Sequence, residues 1–450
     1  MSQPPRAPGY WPVVGHTIPF LRSPLSTLDR WGTTDDPIVS ASVAGRRVVI
    51  ITDPRVARQV LVDAPNDYRK AALLRDRLGT LQGGSLVLLE GDAWRERREM
   101  LTSAFTTDRV AAVDDITAAH TDRVLTDWPS DGTVDLQATA RDLTLAVLAR
   151  ALFGLDLTGG DTPIHAAAAD ILARLRLDSP STYLPEWVPT PTNRRFQRAV
   201  ATLHDRLDAI VDQQRADSAD SGDDGGLLGT LVAAGVPTKT IRDELIAFLF
   251  AGFDSTATAL SCTLGLLAAN PDQQASLVQA LLQTVDDESV ADASLSACGR
   301  LDAVLRESLR LYPPQYVLFR EPVTDVSLGG YRVSTGTPTV VAPWVYHHDA
   351  EFWDDPETFR PERWLDARDD AESGAERRLT DSDRPAVAYA PYGAGPRSCL
   401  GRRMANRVLR TAVALICSRY RLTPSDDLVV SGGPTLALYG GLSAGVSRRE

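Results

Sequence analysis

Apolar positions recur at helical spacing through much of the chain. DDITAAHTDRVLTDW (residues 114–128) and RRFQRAVATLHDRLDAIVDQQ (194–214) place them three and four apart, which predicts amphipathic helices with one buried stripe. LIAFLFAGFDSTATALSCTLGLLAA (245–269) is apolar on every side and approaches membrane-spanning length. Asp254 and a series of hydroxyl residues interrupt it, and a lone acid in a bilayer is costly. A helix crossing a protein interior is therefore expected. β-branched RRVVIITD (46–53) reads as a strand, with Pro54 opening a short helix after it. Further strand-like pieces lie in YRVSTGTPTVVAPW (331–344) and PTLALYGGLSAGVS (434–447). RADSADSGDDGG (215–226) and the mixed-charge stretch at 366–387 carry no periodicity and read as surface loops. The sum is a mainly α protein with small β-sheets.

Composition narrows this picture. At 450 residues, 43% hydrophobic, the chain has room for one large core or up to three small ones. A net charge of −12 opposes binding to nucleic acid or anionic membranes. Prolines in MSQPPRAPGYWPVVGH break any signal or anchor run, so a cytoplasmic protein without a membrane anchor is expected. Cys262, Cys298, Cys399 and Cys417 lie far apart, which indicates neither a disulfide framework nor a zinc site.

Cys399 sits in YGAGPRSCLGRRMA (392–405), where Gly393, Gly395 and Gly401 let backbone amides approach a sulfur or a flat cofactor and Arg397 brings positive charge. Amides and charge of this kind lower a thiol pKa, as a metal-ligating thiolate requires. A structural cysteine in a tight turn, or a nucleophile paired with a distant histidine, fits these residues too. Three further motifs occur in the chain: Trp94 and Arg98 at i, i+4; AGFDST (251–256); and RESLRLYPP, with Glu307 and Arg310 at i, i+3, followed by FRPERW with Arg363.

The run from Tyr392 to Gly401 resembles the haem-binding loop F-x-x-G-x-R-x-C-x-G of the cytochromes P-450, with Tyr392 for the usual Phe, and the other motifs resemble that family's in its order. The resemblance covers nearly the whole chain. It implies one haem domain over residues 1–450, with a long central helix over the haem. It also implies haem b with Cys399 as axial thiolate. In the resemblance Tyr392, Gly393 and Gly401 would shape the ligand loop, while Arg397, Trp94, Arg98 and Arg320 would contact propionates. Ala251 and Gly252 face the oxygen-binding side. By the same resemblance Asp254 and Ser255 would deliver protons, with Thr256 as a substitute hydroxyl because Ser255 replaces the family's threonine. Glu307, Arg310 and Arg363 form a structural triad. The implied function is monooxygenation of a small apolar, lipid-like molecule, a terpenoid, fatty acid or sterol-like compound, using O2. The pocket draws on residues 73–89, 181–189, Phe250, Ala251 and 315–319. A haem-thiolate peroxygenase and a non-catalytic haem sensor or carrier are the alternatives. Electrons are expected from a separate ferredoxin or flavodoxin with its reductase, docking on the basic cluster of Arg397, Arg402, Arg403, Arg407, Arg410, Arg95 and Arg97. A monomer is expected.

Overall fold

In the computed structural model, residues 2–449 are described except 106, 156–162, 176–183, 222–225, 285–291 and 366–383. Ten helices carry the argument: α1 (Pro24–Gly32), α2 (Ala72–Gln82), α3 (Gly91–Ala104), α4 (Thr107–Thr126), α5 (Leu136–Phe153), α6 (Pro163–Leu175), α7 (Pro191–Ser221), α8 (Thr238–Ala269), α9 (Gly299–Leu311) and α10 (Arg402–Arg419).

The expected interior helix is α8. Its 32 residues extend about 48 Å, and it packs against α5, α7, α9 and α10. Leu245, Leu249, Phe253, Leu260 and Leu264 of α8 join Leu143 and Val147 of α5 and Val408 and Ala412 of α10 in one apolar core. Among the described residues α8 is the one helix long and apolar enough to cross a membrane, and most of it is buried within the protein.

A mixed sheet lies beside the helices, in the order β1 (Ile38–Val43), β2 (Arg46–Ile51), β5 (Thr339–Val341), β4 (Leu318–Pro322), β3 (Tyr68–Arg69). Strands β1 and β2 form a two-residue hairpin at Ala44–Gly45, both at positive φ, the turn that matches strand twist. Strand β2 runs parallel to β5, with Val49 opposite Thr339, and β5 pairs antiparallel with β4, placing Arg320 opposite Thr339. β3 ends one residue before Lys70. The sheet thus delivers two cations, Arg320 and Lys70, to the edge of the helical core. Near the C-terminus, β6 (Val430–Gly432) and β7 (Leu436–Leu438) form a hairpin.

The structure corrects one boundary. Residues 215–221, read as loop, continue α7 to Ser221. Gln213 donates to Asp217 Oδ1 one turn on (2.8 Å), and Arg215 donates to the Val236 carbonyl (2.8 Å), so this polar end is tied down by side chains rather than by an apolar stripe. Residues 366–383 of the second expected loop lie outside the described residues.

Candidate active site

The ligand loop is built on backbone contacts. Gly393 and Gly395 both adopt φ of +69°, and a Cβ at Gly395 would overlap the Leu61 carbonyl, so only glycine fits there. Leu61 belongs to a π-helical turn, Gln59–Asp63. The Cys399 N–H donates to the Tyr392 carbonyl (2.9 Å), closing the loop, and Ser398 N–H donates to Gly395 (3.1 Å). The Tyr392 hydroxyl, absent from the family's Phe, donates to Asn406 on α10 at 2.5 Å. Gly401 is the N-cap of α10.

Cys262, Cys298 and Cys417 are buried among apolar residues, whereas Cys399 keeps an open face. Burial nevertheless pushes the Cys399 thiol above its ordinary value, opposed by the Gly401 N–H and by the charges of Arg98 and Arg402. The donors expected from the sequence are present, but the net direction is the reverse of the expected lowering, because desolvation outweighs them.

Next to this thiol, cations outnumber acids. Arg397 is paired with Glu90 and donates to the Leu89 carbonyl (3.1 Å). Its guanidinium lies 4.5 Å from the centre of the Trp94 ring, and that of Arg98 lies 5.7 Å from the same ring. Trp94 therefore acts as a stacking platform and makes no hydrogen bond to Arg98. Arg98 instead donates to the Ser398 carbonyl at 3.1 Å, bolting α3 to the ligand loop. Arg320 is buried and donates to Phe319 O (2.9 Å). Burial, and then repulsion from Arg320 and Arg397, pushes the Lys70 ammonium down to about 7, with Glu90 opposing. Burial and Arg397 likewise lower Arg320 to about 10. Lys70, Arg320 and Arg397 thus face one carboxylate, Glu90, while Arg98 adds its charge beside Arg397 and the Cys399 thiol. A thiol with an open face beside this uncompensated charge fits a group that brings a metal ion and two carboxylates, as haem b does. Sequence reading missed Lys70 and Glu90. The signal was that Lys70 is one of two lysines in the chain.

In the middle of α8, Ala251 is exposed and Gly252 half-buried although most of the helix on either side is buried, so α8 is left uncovered on this face. A Cβ at Gly252 would meet Leu148 of α5 at 3.0 Å. The Ser255 hydroxyl donates to the Ala251 carbonyl at 2.6 Å, competing with the helix ladder. Thr256 is buried and lies about 100° further round the helix, so the two hydroxyls do not share a face. Asp254 accepts a hydrogen bond from Thr435; burial raises its pKa, while Thr435 and Arg141 oppose the rise.

Glu307, Arg310 and Arg363 meet in the interior. Arg310 grips Glu307 through two hydrogen bonds, Nε to Oε2 (3.0 Å) and Nη2 to Oε1 (2.9 Å), and Arg363 Nε donates to Oε1 (2.9 Å). Trp364 Nε1 and the Arg360 N–H add 2.9 and 3.1 Å bonds to the same carboxylate. His347, missed by the sequence reading, links this knot to the chain entering the ligand loop: its Nδ1 donates to the Arg310 carbonyl and its Nε2 accepts from the Ala390 N–H, both at 3.0 Å.

Of the basic residues read as a docking cluster, Arg95 pairs with Asp92, Arg97 with Glu244, Arg397 with Glu90, Arg407 with Asp114 and Arg410 with Asp302. Arg402 and Arg403 remain exposed. Within the expected pocket stretches, residues 181–183 lie outside the described residues, and Trp187 is 79% exposed, turned to solvent by a turn that Asn193 holds through Pro185 O (3.0 Å) and Val188 O (2.8 Å). Tyr316 and Val317 are buried, packed in an apolar cluster around the mixed sheet.

Comparisons with known proteins bear on the family and the fold. A sequence model of the cytochrome P450 family matches residues 4–431. Cyclooctat-9-en-7-ol 5-monooxygenase of Streptomyces melanosporofaciens is 32% identical over 436 residues, covering 93% of this chain and 89% of that protein. Pentalenene oxygenase of Streptomyces avermitilis is 26% identical, covering 94% and 92%. The crystal structure of the cytochrome P450DA heme domain superposes with a TM-score of 0.84 at 18% identity, over 100% of this chain and 97% of that one, a likeness of fold.

Proposed function

This chain belongs to the cytochrome P450 family and is a monooxygenase with a cysteine-ligated haem b, and from that premise we propose that it inserts one atom of O2 into a C–H bond of a terpenoid. Like its family it works on small apolar molecules with O2 and a redox partner. The terpenoid reading is supported by relatives named for cyclooctat-9-en-7-ol, cyclooctatin and pentalenene.

One observation carries the site assignment: Cys399 is the cysteine with an open face, and its loop adjoins a cation-rich cluster in which Lys70, Arg320 and Arg397 share the single carboxylate of Glu90 and Arg98 acts on both Arg397 and the thiol. When bound, the haem supplies reductive oxygen activation and the oxidising power to break a C–H bond, which no side chain provides. Cys399 would ligate the iron, within a loop shaped by Tyr392, Gly393 and Gly401. Arg98, Arg397, Arg320 and Lys70 hold the propionates, with Trp94 stacking the two arginines nearest it. Ala251 and Gly252 would leave room on α8 for O2 and substrate. Asp254 moves protons into the pocket and Ser255 supplies the hydroxyl; Thr256, turned away, is left to packing. Glu307, Arg310 and Arg363 keep the frame rigid.

In this reading residues 1–450 form one haem domain, monomeric and cytoplasmic, served by a ferredoxin or flavodoxin that docks at Arg402 and Arg403. Arg402→Glu is expected to slow reduction by such a partner and to weaken its salt dependence.

The test is spectroscopic. Carbon monoxide added to reduced protein should give the red-shifted Soret band of a thiolate complex, lost in Cys399→Ser. Cyclic terpene alcohols and hydrocarbons should then give substrate-type spectral shifts that sterols and fatty acids do not. An unshifted Soret band overturns the ligand, and shifts with fatty acids alone overturn the substrate class.

A further inference from the structure

Helix α8 meets the β6–β7 hairpin at two successive turns. The Thr435 hydroxyl donates to Asp254 Oδ2. Four residues along the helix, Thr258 donates to the Leu436 carbonyl at 3.3 Å. The hairpin is held in place independently: the Leu436 N–H donates to Pro314 O (2.8 Å), the Tyr316 hydroxyl donates to Gly433 O (2.9 Å), and Leu436 is fully buried. Pro314 and Tyr316 follow directly on α9, the helix of Glu307 and Arg310. Thr435 is therefore presented to Asp254 by the same frame that carries the triad.

Asp254 depends on this arrangement. A carboxylate in the middle of an apolar helix is destabilised unless something donates to it, and among the described residues Thr435 makes its one hydrogen bond. Arg141 on α5 is the charged group acting on it, and the hairpin contributes the hydroxyl alone.

We propose that Thr435 is a positioning residue for the acid of oxygen activation: its hydroxyl fixes Oδ2 of Asp254 and leaves Oδ1 to exchange a proton with the pocket. The proposal rests on the reading of Asp254 as proton donor. A hydroxyl that donates to the ionised form favours it, while burial favours the neutral form. Thr435 thereby keeps the acid able to release a proton that desolvation alone would lock in place. The proton leaves from Oδ1, the carboxylate keeps the Thr435 bond, and water returns a proton to Oδ1. The hydroxyl neither gains nor loses charge in the cycle.

The experiment uses the holoenzyme. Infrared difference titration of the Asp254 carboxyl, identified by its loss in D254N, reads ionisation without turnover. Losing a donor to a carboxylate raises its pKa, so T435V is expected to move the midpoint up by about one pH unit. T435S should return it to within a few tenths of wild type, and T258V, which breaks only the neighbouring anchor, should leave it unchanged. With a surrogate ferredoxin and reductase supplying electrons, peroxide formed per oxygen consumed should rise in T435V and D254N but not in T258V. An unshifted midpoint in T435V with full haem content overturns the proposal, as does T435S behaving like T435V; T435A carries the same test should T435V not load haem. A shifted midpoint with unchanged peroxide in D254N would instead overturn Asp254 as proton donor while leaving the hold of Thr435 on it intact.

Discussion

Glu307 and Lys70 both lie inside the protein among arginines, but their surroundings treat charge differently. Around Glu307, two guanidiniums share one carboxylate, and what remains of their hydrogen-bonding capacity is taken up by backbone carbonyls: His347 O for Arg310 (2.6 Å) and Asp354 O for Arg363 (2.8 Å). Around Glu90, three cations, Lys70, Arg320 and Arg397, share one carboxylate, and the Lys70 ammonium makes no hydrogen bond among the described residues. The first group is complete in the polypeptide alone, so it acts as scaffold. The second is complete only when further negative charge arrives, so it acts as a receptor. A charge cluster that closes on itself and one that does not are told apart by their geometry, by which carbonyls and carboxylates each cation reaches.

The largest predicted effect comes from opening the closed cluster. Glu307→Ala leaves two buried guanidiniums facing each other, a loss of about 3–5 kcal/mol, and should yield little haem-bound protein; normal haem content in that variant would refute the scaffold role. Glu90→Gln removes the single acid of the open cluster. It should lower the melting temperature of the haem-free chain by several degrees and that of the loaded protein much less, because propionates replace the lost charge; equal losses in both forms would break the distinction.

Lys70→Met should act with opposite signs in the two forms. Taking one cation from a surplus is expected to stabilise the haem-free chain by about 1 kcal/mol while weakening haem retention, measured by transfer to apomyoglobin. The pH dependence sharpens the same point. Lys70 binds its proton less tightly folded, at about 7, than the ordinary lysine value of 10.5. Between those values the unfolded chain holds more protons, so the stability of the haem-free protein should rise with pH through that window. The rise should disappear in K70M and flatten once haem is bound. The smallest effect is expected at Ser255→Thr, where the added methyl restricts the hydroxyl rotamer and peroxide released per electron should fall modestly.

Much of this was legible beforehand for a physical reason. Cys399 and Arg397, Glu307 and Arg310, Trp94 and Arg98 each lie within one loop or one helical turn, so their spacing along the chain is their spacing in space. The long α8 was equally plain, since an all-round apolar run with one acid has few places to go. Lys70, Glu90, His347 and Thr435 were not legible, because each meets its partner through tertiary contact across 20 to 307 residues of chain. Arg407 and Arg410 looked free in sequence for the same reason: Asp114 and Asp302 come from other helices. The polar end of α7 escaped because side-chain ties, rather than an apolar stripe, hold it in helical form.

The seat of Gly395 on the Leu61 carbonyl has a practical meaning for protein engineering. The height of the ligand loop is gauged against main chain rather than against side chains, and the gauge is a turn holding one residue more than an ordinary helix allows. Point substitutions around 59–63 should therefore leave the loop where it is, whereas deleting one residue from that turn would shift the reference itself. Anyone exchanging segments between this chain and a relative would have to move 59–63 and 392–401 together.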